Sequence, residues 1–95
     1  MSDPNILVLT SLANSEKHGY AIMLDVESFA NVRLGPGTLY GAITRLEERG
    51  WIRPTRAGDR RQPYAITSAG RKHLAERLSA LRAVVNTGLE RLKPA

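Results

Sequence analysis

The sequence contains no cysteine, few aromatic residues and no long apolar run. The missing thiols exclude a disulfide scaffold and thiolate metal sites, and they fit a reducing compartment. No apolar stretch approaches the roughly 20 residues that span a bilayer, and the N-terminus lacks the pattern of a signal peptide. We therefore expect a soluble, cytoplasmic protein of 95 residues in a single folded unit.

Acidic residues are also scarce in the middle of the chain. Residues 31–73 hold nine Lys and Arg against three Asp and Glu, whereas the remainder holds five against six. Eight of the nine central cations are arginine, whose planar guanidinium suits phosphates and base edges. A solvated surface would also explain such charge, but its concentration in one region favours a polyanionic partner.

The sequence has no pattern typical of an enzyme. Glu47 and Glu48 are neighbours on a predicted helix, so their carboxylates point in different directions. His18 and His73 are too few and too far apart for a metal site. We therefore predict no catalytic activity, no metal and no cofactor.

Capping and turn signals divide the chain into four helices and a small β-hairpin. We predict that Asp3 caps the first helix, that the second begins near Gly19, that Pro36 opens the third after a turn, and that Thr67 caps a fourth. Gly50 has the sequence context of a glycine that ends a helix. The predicted strands are residues 31–34, 51–56 and 62–67, of which the last two form the hairpin.

The third helix lies in the stretch GPGTLYGAITRLEERGWIRP, residues 35–54. One face has apolar residues at helical spacing, and we predict that it is buried. These residues are Leu39, Ala42, Ile43 and Leu46. The opposite face carries Thr38, Gly41, Thr44 and Arg45, with Tyr40 towards its edge. A glycine on that face leaves the helix slim.

The fourth helix, from about residue 68 to 92, repeats apolar residues in a pattern typical of helix–helix contact. The pattern consists of Leu74, Leu78, Leu81, Val85 and Leu92, with Leu89 beside a gap at Gly88. At 1.5 Å per residue this helix is about 37 Å long, which is longer than a domain of this size covers. We predict that these residues form a dimer interface; docking on the chain's own domain is the alternative.

The order helix, helix, strand, helix, hairpin, long helix is that of a winged helix-turn-helix. The fold class is mainly α with a small antiparallel β-hairpin, plus a long C-terminal helix. In this architecture the third helix, residues 36–49, enters the major groove, while the wing, residues 56–62, reaches phosphates beside it. Thr44, Arg45, Arg56, Arg60 and Arg61 are therefore candidate DNA contacts, although Arg45 has an ion pair with Glu48 as its alternative.

Three segments resemble the signature segments of the PadR-like transcriptional regulators. They are HGYAI at 18–22, GTLYGAITRLEERGWI at 37–52 and RRQPYAITSAGRKHL at 60–74. The resemblance implies a homodimeric DNA-binding repressor of the compact branch of this family. We expect residues 1–67 to form the DNA-binding domain and residues 68–95 to form the dimerisation helix. The resemblance implies that this helix pairs with the partner's N- and C-terminal helices.

The same resemblance implies roles for individual residues. Thr38 and Tyr40 would lie at the DNA surface with the Tyr40 hydroxyl on a phosphate, although Tyr40 could instead belong to the core. Arg60 and Arg61 would lie at the minor groove or on phosphates. The sequence departs from the family at Gly41, where proline is usual, and at Trp51, where an aliphatic residue is usual. We expect Trp51 to pack in the core, with a small-molecule effector pocket as the alternative.

Two other classes compete with this interpretation. A winged helix can serve as a protein–protein interaction module without sequence-specific DNA binding, but paired arginines in the wing favour DNA. Within the DNA-binding class, a MarR-like or ArsR-like regulator is the alternative, and the missing cysteines disfavour a metal sensor of the second kind. We expect double-stranded DNA and a second copy of the chain as partners.

Overall fold

The computed structural model describes residues 3–56, 58 and 61–94. Its elements, in chain order, are α1 (Pro4–Leu12), β1 (Lys17–His18), α2 (Gly19–Ala30), α3 (Pro36–Glu48), β2 (Ile52–Pro54), β3 (Pro63–Ile66) and α4 (Ser68–Arg91). The predicted fold class is confirmed, since these elements form a winged helix-turn-helix followed by a long helix.

The helices begin and end at the residues that the capping signals indicate. Asp3 accepts a hydrogen bond from Asn5 N at 2.9 Å before Pro4 opens α1. Thr67 Oγ1 accepts one from Gly70 N at 3.0 Å at the start of α4. Gly50 follows α3 with a φ of +74°, a conformation in which only glycine is unstrained. These local signals fix where α3 stops and the wing begins.

The core lies where α1 meets the other helices. Val8, Leu9 and Leu12 are almost completely buried, and α1 contacts α2, α3, α4 and β3. The remaining buried apolar residues are Ile6, Ile22, Val26, Leu34, Leu39, Ala42, Ile43, Leu46, Ile52 and Leu74. Burial of each Val, Leu or Ile side chain of this cluster contributes about 1.5–3 kcal/mol, so the cluster holds α3 firmly by its apolar face.

The sheet has three antiparallel strands in the order β1-β3-β2. In β2 and β3, Ile52 pairs with Ile66 and Pro54 with Tyr64. The predicted strand at 31–34 is wrong. Asn31 adopts a left-handed conformation that ends α2, and Leu34 is buried in the core rather than paired in a sheet. The third strand is instead β1, which the sequence analysis did not identify.

A polar network fixes the turn that leads from α1 into β1. The Ser11 hydroxyl donates to Asp25 Oδ2 at 2.7 Å, and Lys17 Nζ lies 3.9 Å from the same carboxylate oxygen. Lys17 also donates to the Ser11 carbonyl near the end of α1 and to Asn14 Oδ1. Because Lys17 belongs to β1, the network ties the edge of the sheet to two helices.

None of the helices in the described ranges combines the length and the apolar composition that crossing a membrane requires.

Candidate nucleic-acid interface

The exposed face of α3 is the first part of the candidate interface. Leu39, Ala42, Ile43 and Leu46 are buried, as the spacing predicts. Thr38, Tyr40, Thr44 and Arg45 are all exposed. The helix therefore presents a continuous polar strip and is anchored from behind. We call this strip, residues 38, 40, 44 and 45, the α3 face.

Two side chains of the α3 face already make intramolecular contacts. The Thr44 hydroxyl donates to the Tyr40 carbonyl at 2.9 Å, and the Thr44 side chain stays exposed. Arg45 Nη2 donates to Asn5 Oδ1 at 3.3 Å, between α3 and the start of α1. The ion pair with Glu48 does not form among the described residues. Both side chains remain at the surface, where a nucleic acid could reach them.

Tyr40 rests on the start of α2. Its side chain is 51% exposed, yet its ring lies directly over Gly19. A β-carbon on Gly19 would come within 2.5 Å of the Tyr40 hydroxyl oxygen and 2.9 Å of Cζ, closer than real side chains approach. The bare glycine is therefore what allows the ring to occupy this position. The prediction that Tyr40 is accessible and not a core residue agrees with this geometry.

The second part of the candidate interface consists of the arginines of the wing. Arg56 and Arg61 are exposed, and both line a cleft of about 280 Å³ with Glu16, His18 and Pro63. Arg60, the third predicted wing contact, lies outside the described residues. The structure thus brings Arg56 and Arg61 together on the side of the wing next to β1.

A larger cleft of about 480 Å³ separates the α3 face from the wing. Tyr20, Tyr40 and Tyr64 line it, together with Arg61. Burial, with smaller contributions from Glu47 and then Tyr40, raises the pKa of the Tyr64 hydroxyl, so this group stays protonated at neutral pH. We call this feature the tyrosine cleft. The sequence analysis missed Tyr20, because the rings converge only when α2, α3 and β3 have packed.

Trp51 stacks on His73, and the two ring centroids are 3.6 Å apart at an interplanar angle of 12°. Arg49 Cζ lies 5.2 Å from the indole centroid. The indole packs against the core cluster and is partly buried. This contact joins the segment after α3 to α4. An effector pocket at Trp51 stays a prediction.

The predicted dimerisation residues fall into two groups along α4. Leu74 is only 6% exposed and belongs to the core of its own domain, and Leu81 packs partly against that core. The other four are Leu78, Val85, Leu89 and Leu92, which are all exposed large apolar residues. Val84 joins them at 68% exposure; it lies at the edge of the stripe, and a strict heptad pattern omits it. From residue 82 to 94 every residue of the chain is exposed.

No group of His, Cys, Asp or Glu among the described residues has the arrangement of a metal site.

The fold and the α3 face together define a winged helix-turn-helix protein. Residues 8–76 match the model of the transcriptional regulator PadR-like family, and the chain therefore belongs to the PadR-like family of transcriptional regulators. Members of this family are regulators rather than enzymes.

Solved structures share the fold over nearly the whole chain. A PadR family transcription regulator from Clostridium difficile superposes with a TM-score of 0.82 at 25% identity, covering 95% of this chain and 98% of that one. A PadR-like transcriptional regulator from Bacillus cereus gives a TM-score of 0.83 at 20% identity, with coverages of 96% and 92%. The long C-terminal helix is thus part of the shared architecture.

A curated relative is an uncharacterised 37.1 kDa protein in a transposon of Streptomyces fradiae, 45% identical over 73 residues. The match covers 77% of this chain but 21% of that protein, so the chain spans about a fifth of the length of the relative.

Proposed function

We propose that this chain is a homodimeric, sequence-specific DNA-binding regulator that acts as a repressor. In this proposal α3 enters the major groove, where Thr38, Thr44 and Arg45 contact base edges or the neighbouring phosphates and the Tyr40 hydroxyl contacts a phosphate. The wing, residues 56–62, contacts phosphates or the minor groove through Arg56, Arg60 and Arg61. The DNA-binding unit corresponds to residues 1–67, and residues 68–95 supply the dimer contact.

The observation that carries the proposal is the exposed polar strip on a helix whose other face is buried. A helix fits the major groove of B-DNA, which is about 12 Å wide. Threonine and arginine side chains on its outer face match the donors and acceptors displayed there. The central excess of arginine supplies the phosphate neutralisation that DNA affinity requires.

The dimer is supported by the apolar residues that α4 exposes. Leu78, Val85, Leu89 and Leu92 are between 42% and 81% exposed, and contiguous apolar surface of this kind marks association sites. Leu74 drops out of the proposed interface because the core already covers it. Two-fold symmetry then predicts a pseudo-palindromic DNA site with half-sites about one helical turn apart.

Selection from a random-sequence duplex library, followed by footprinting, tests the proposal. The wild-type chain should enrich a two-fold symmetric site, and the logarithm of its affinity should fall linearly with the logarithm of salt concentration. Arg45→Ala should weaken binding, and it should reduce the steepness of that line by about 0.9 where the guanidinium neutralises a phosphate. Arg45 variants that lose affinity without a slope change would instead indicate a base contact.

Lys93→Ala is the matched control, because it removes one positive charge that pairs with Glu90 near the far end of α4. It should leave both affinity and slope unchanged. The proposal is wrong if the library yields no enriched site, or if the chain binds an enriched site but does not repress a promoter that overlaps it.

A further inference from the structure

The tyrosine cleft contains every tyrosine of the chain. The sequence has three tyrosines, and Tyr20, Tyr40 and Tyr64 all line this one surface feature. They come from three different elements, α2, α3 and β3. The rest of the cleft is lined by His18, Gly19, Ala21, Leu24, Arg61 and Gln62. The cleft therefore gathers phenol hydroxyl groups at the boundary between α3 and the wing.

The position of the cleft determines what would pass over it. In B-DNA a single sugar–phosphate strand separates the major groove from the neighbouring minor groove. With α3 in the major groove and the wing at the adjacent minor groove or its phosphates, that strand must cross the surface between them. On this molecule that surface is the cleft, with Tyr40 on the side of α3 and Arg61 on the side of the wing.

The chemistry of the cleft fits a phosphodiester. Phosphate oxygens accept hydrogen bonds, and a phenol donates one without carrying charge at neutral pH. Tyrosine hydroxyls belong to the groups that hold DNA in register through its backbone. Tyr20 lines the cleft and is 60% exposed, so its side chain is accessible to a ligand that lies across the opening.

We propose that the tyrosine cleft seats the DNA backbone strand between the two grooves, and that Tyr20 is a phosphate contact within it beside Tyr40. This assignment rests on the proposed function and adds a residue of α2 to the interface. The cleft fixes the distance between recognition helix and wing along the DNA, and Tyr20 acts as a neutral positioning contact that reads no base.

The test compares Tyr20→Phe with wild type on the duplex that the library selection enriches. Loss of one hydrogen bond to a charged phosphate should weaken binding about tenfold. The salt dependence should keep its slope, because a neutral hydroxyl releases no counterion, whereas Arg61→Ala should reduce the slope by about 0.9. Ser28→Ala, which removes an exposed hydroxyl two turns further along α2, should change neither quantity.

A second arm locates the contact on the DNA. Replacing single phosphates by neutral methylphosphonates should weaken wild-type binding at the strand between the grooves. At the phosphate that Tyr20 contacts, the same replacement should weaken binding of the Tyr20→Phe variant less than that of wild type, because the two changes share one interaction.

Two outcomes would count against different claims. If wild type and Tyr20→Phe bind the selected duplex equally tightly, and the variant has the thermal unfolding of wild type, the assignment of Tyr20 is wrong. The proposed function would still stand. A wild-type chain that selects no duplex overturns the proposed function and this assignment together.

Discussion

Helices α3 and α4 are both partly exposed, but the residues that they expose are of opposite kinds. In α3 the apolar residues are buried and the outer face is polar, with Thr38, Thr44 and Arg45 at the surface. In α4 the packing against its own domain ends at Leu81, which is partly buried. Beyond Leu81 the apolar side chains are exposed, and Leu89 and Leu92 reach 62% and 81%.

The difference shows which surfaces are complete in a single chain. The apolar side of α3 is buried in the core, and its polar side is exposed to solvent, where a hydrated, charged molecule can bind. The distal half of α4 has apolar area that water still covers, and burying such area is favourable by about 25 cal/mol per Å². A second protein surface is the expected partner of α4, whereas DNA is the expected partner of α3.

The largest effect on dimerisation and DNA binding should come from a charge placed on the exposed apolar face of α4. Val85→Asp places a carboxylate where the proposed dimer excludes water, and burying an unpaired charge costs several kcal/mol. We expect the variant to be monomeric at micromolar concentration and to bind the selected duplex at least about a hundredfold more weakly, because both half-sites no longer act together. Sedimentation equilibrium and a binding titration measure the two effects.

Ala83→Asp is the matched control, since position 83 is also exposed but faces nearly opposite to position 85 on the helix. It should stay dimeric and bind DNA normally. If both variants dissociate alike, or if Val85→Asp remains a dimer, the distal half of α4 is not the association surface. The proposed difference in partner between α4 and α3 would then be wrong.

An intermediate effect is expected at the contact between α2 and the α3 face. Gly19→Ala should force the Tyr40 ring away from its position, because the new β-carbon would overlap it. The fold should survive, since alanine is well tolerated in a helix. DNA affinity should fall about tenfold if the Tyr40 hydroxyl contacts a phosphate.

A double-mutant cycle separates this mechanism from general damage. In a Tyr40→Ala background there is no ring to displace, so Gly19→Ala should have no further effect on affinity. Additive losses would mean that Gly19 acts independently of Tyr40. The ring-current shift of the Gly19 α-protons, measured by NMR without DNA, reports the packing whether or not Tyr40 binds a phosphate.

Local signals in the sequence were enough for most of the fold. The caps at Asp3 and Thr67, the stop at Gly50 and the stripe beginning at Leu39 depend on neighbours within a few residues, and all agree with the structure. They sufficed to predict the exposed α3 face.

Features that depend on contacts between distant residues were harder to predict from the sequence. Strand β1 is two residues long and exists because Lys17 and His18 pair with β3, whereas Val32 and Leu34 alternate because they turn into the core. Leu74 fits the apolar repeat of α4 but is covered by its own domain. The tyrosine cleft likewise appears only when three separated segments meet, so no spacing rule could have indicated Tyr20.

The smallest effect should come from the half of α4 that packs on its own domain. His73→Ala removes the ring that stacks on Trp51 at 3.6 Å, and such aromatic pairs contribute about 1 kcal/mol beyond their buried area. We expect the free energy of unfolding, measured by urea titration with circular dichroism at a fixed protein concentration, to fall by about that amount, with no change in association. Lys72→Ala, at the exposed neighbouring position, should leave stability within about 0.5 kcal/mol. If His73→Ala instead dissociates into monomers as Val85→Asp does, the two halves of α4 do not have separate roles. The substitution removes only an intramolecular contact, so dissociation would mean that this contact also controls the surface that we assign to the partner.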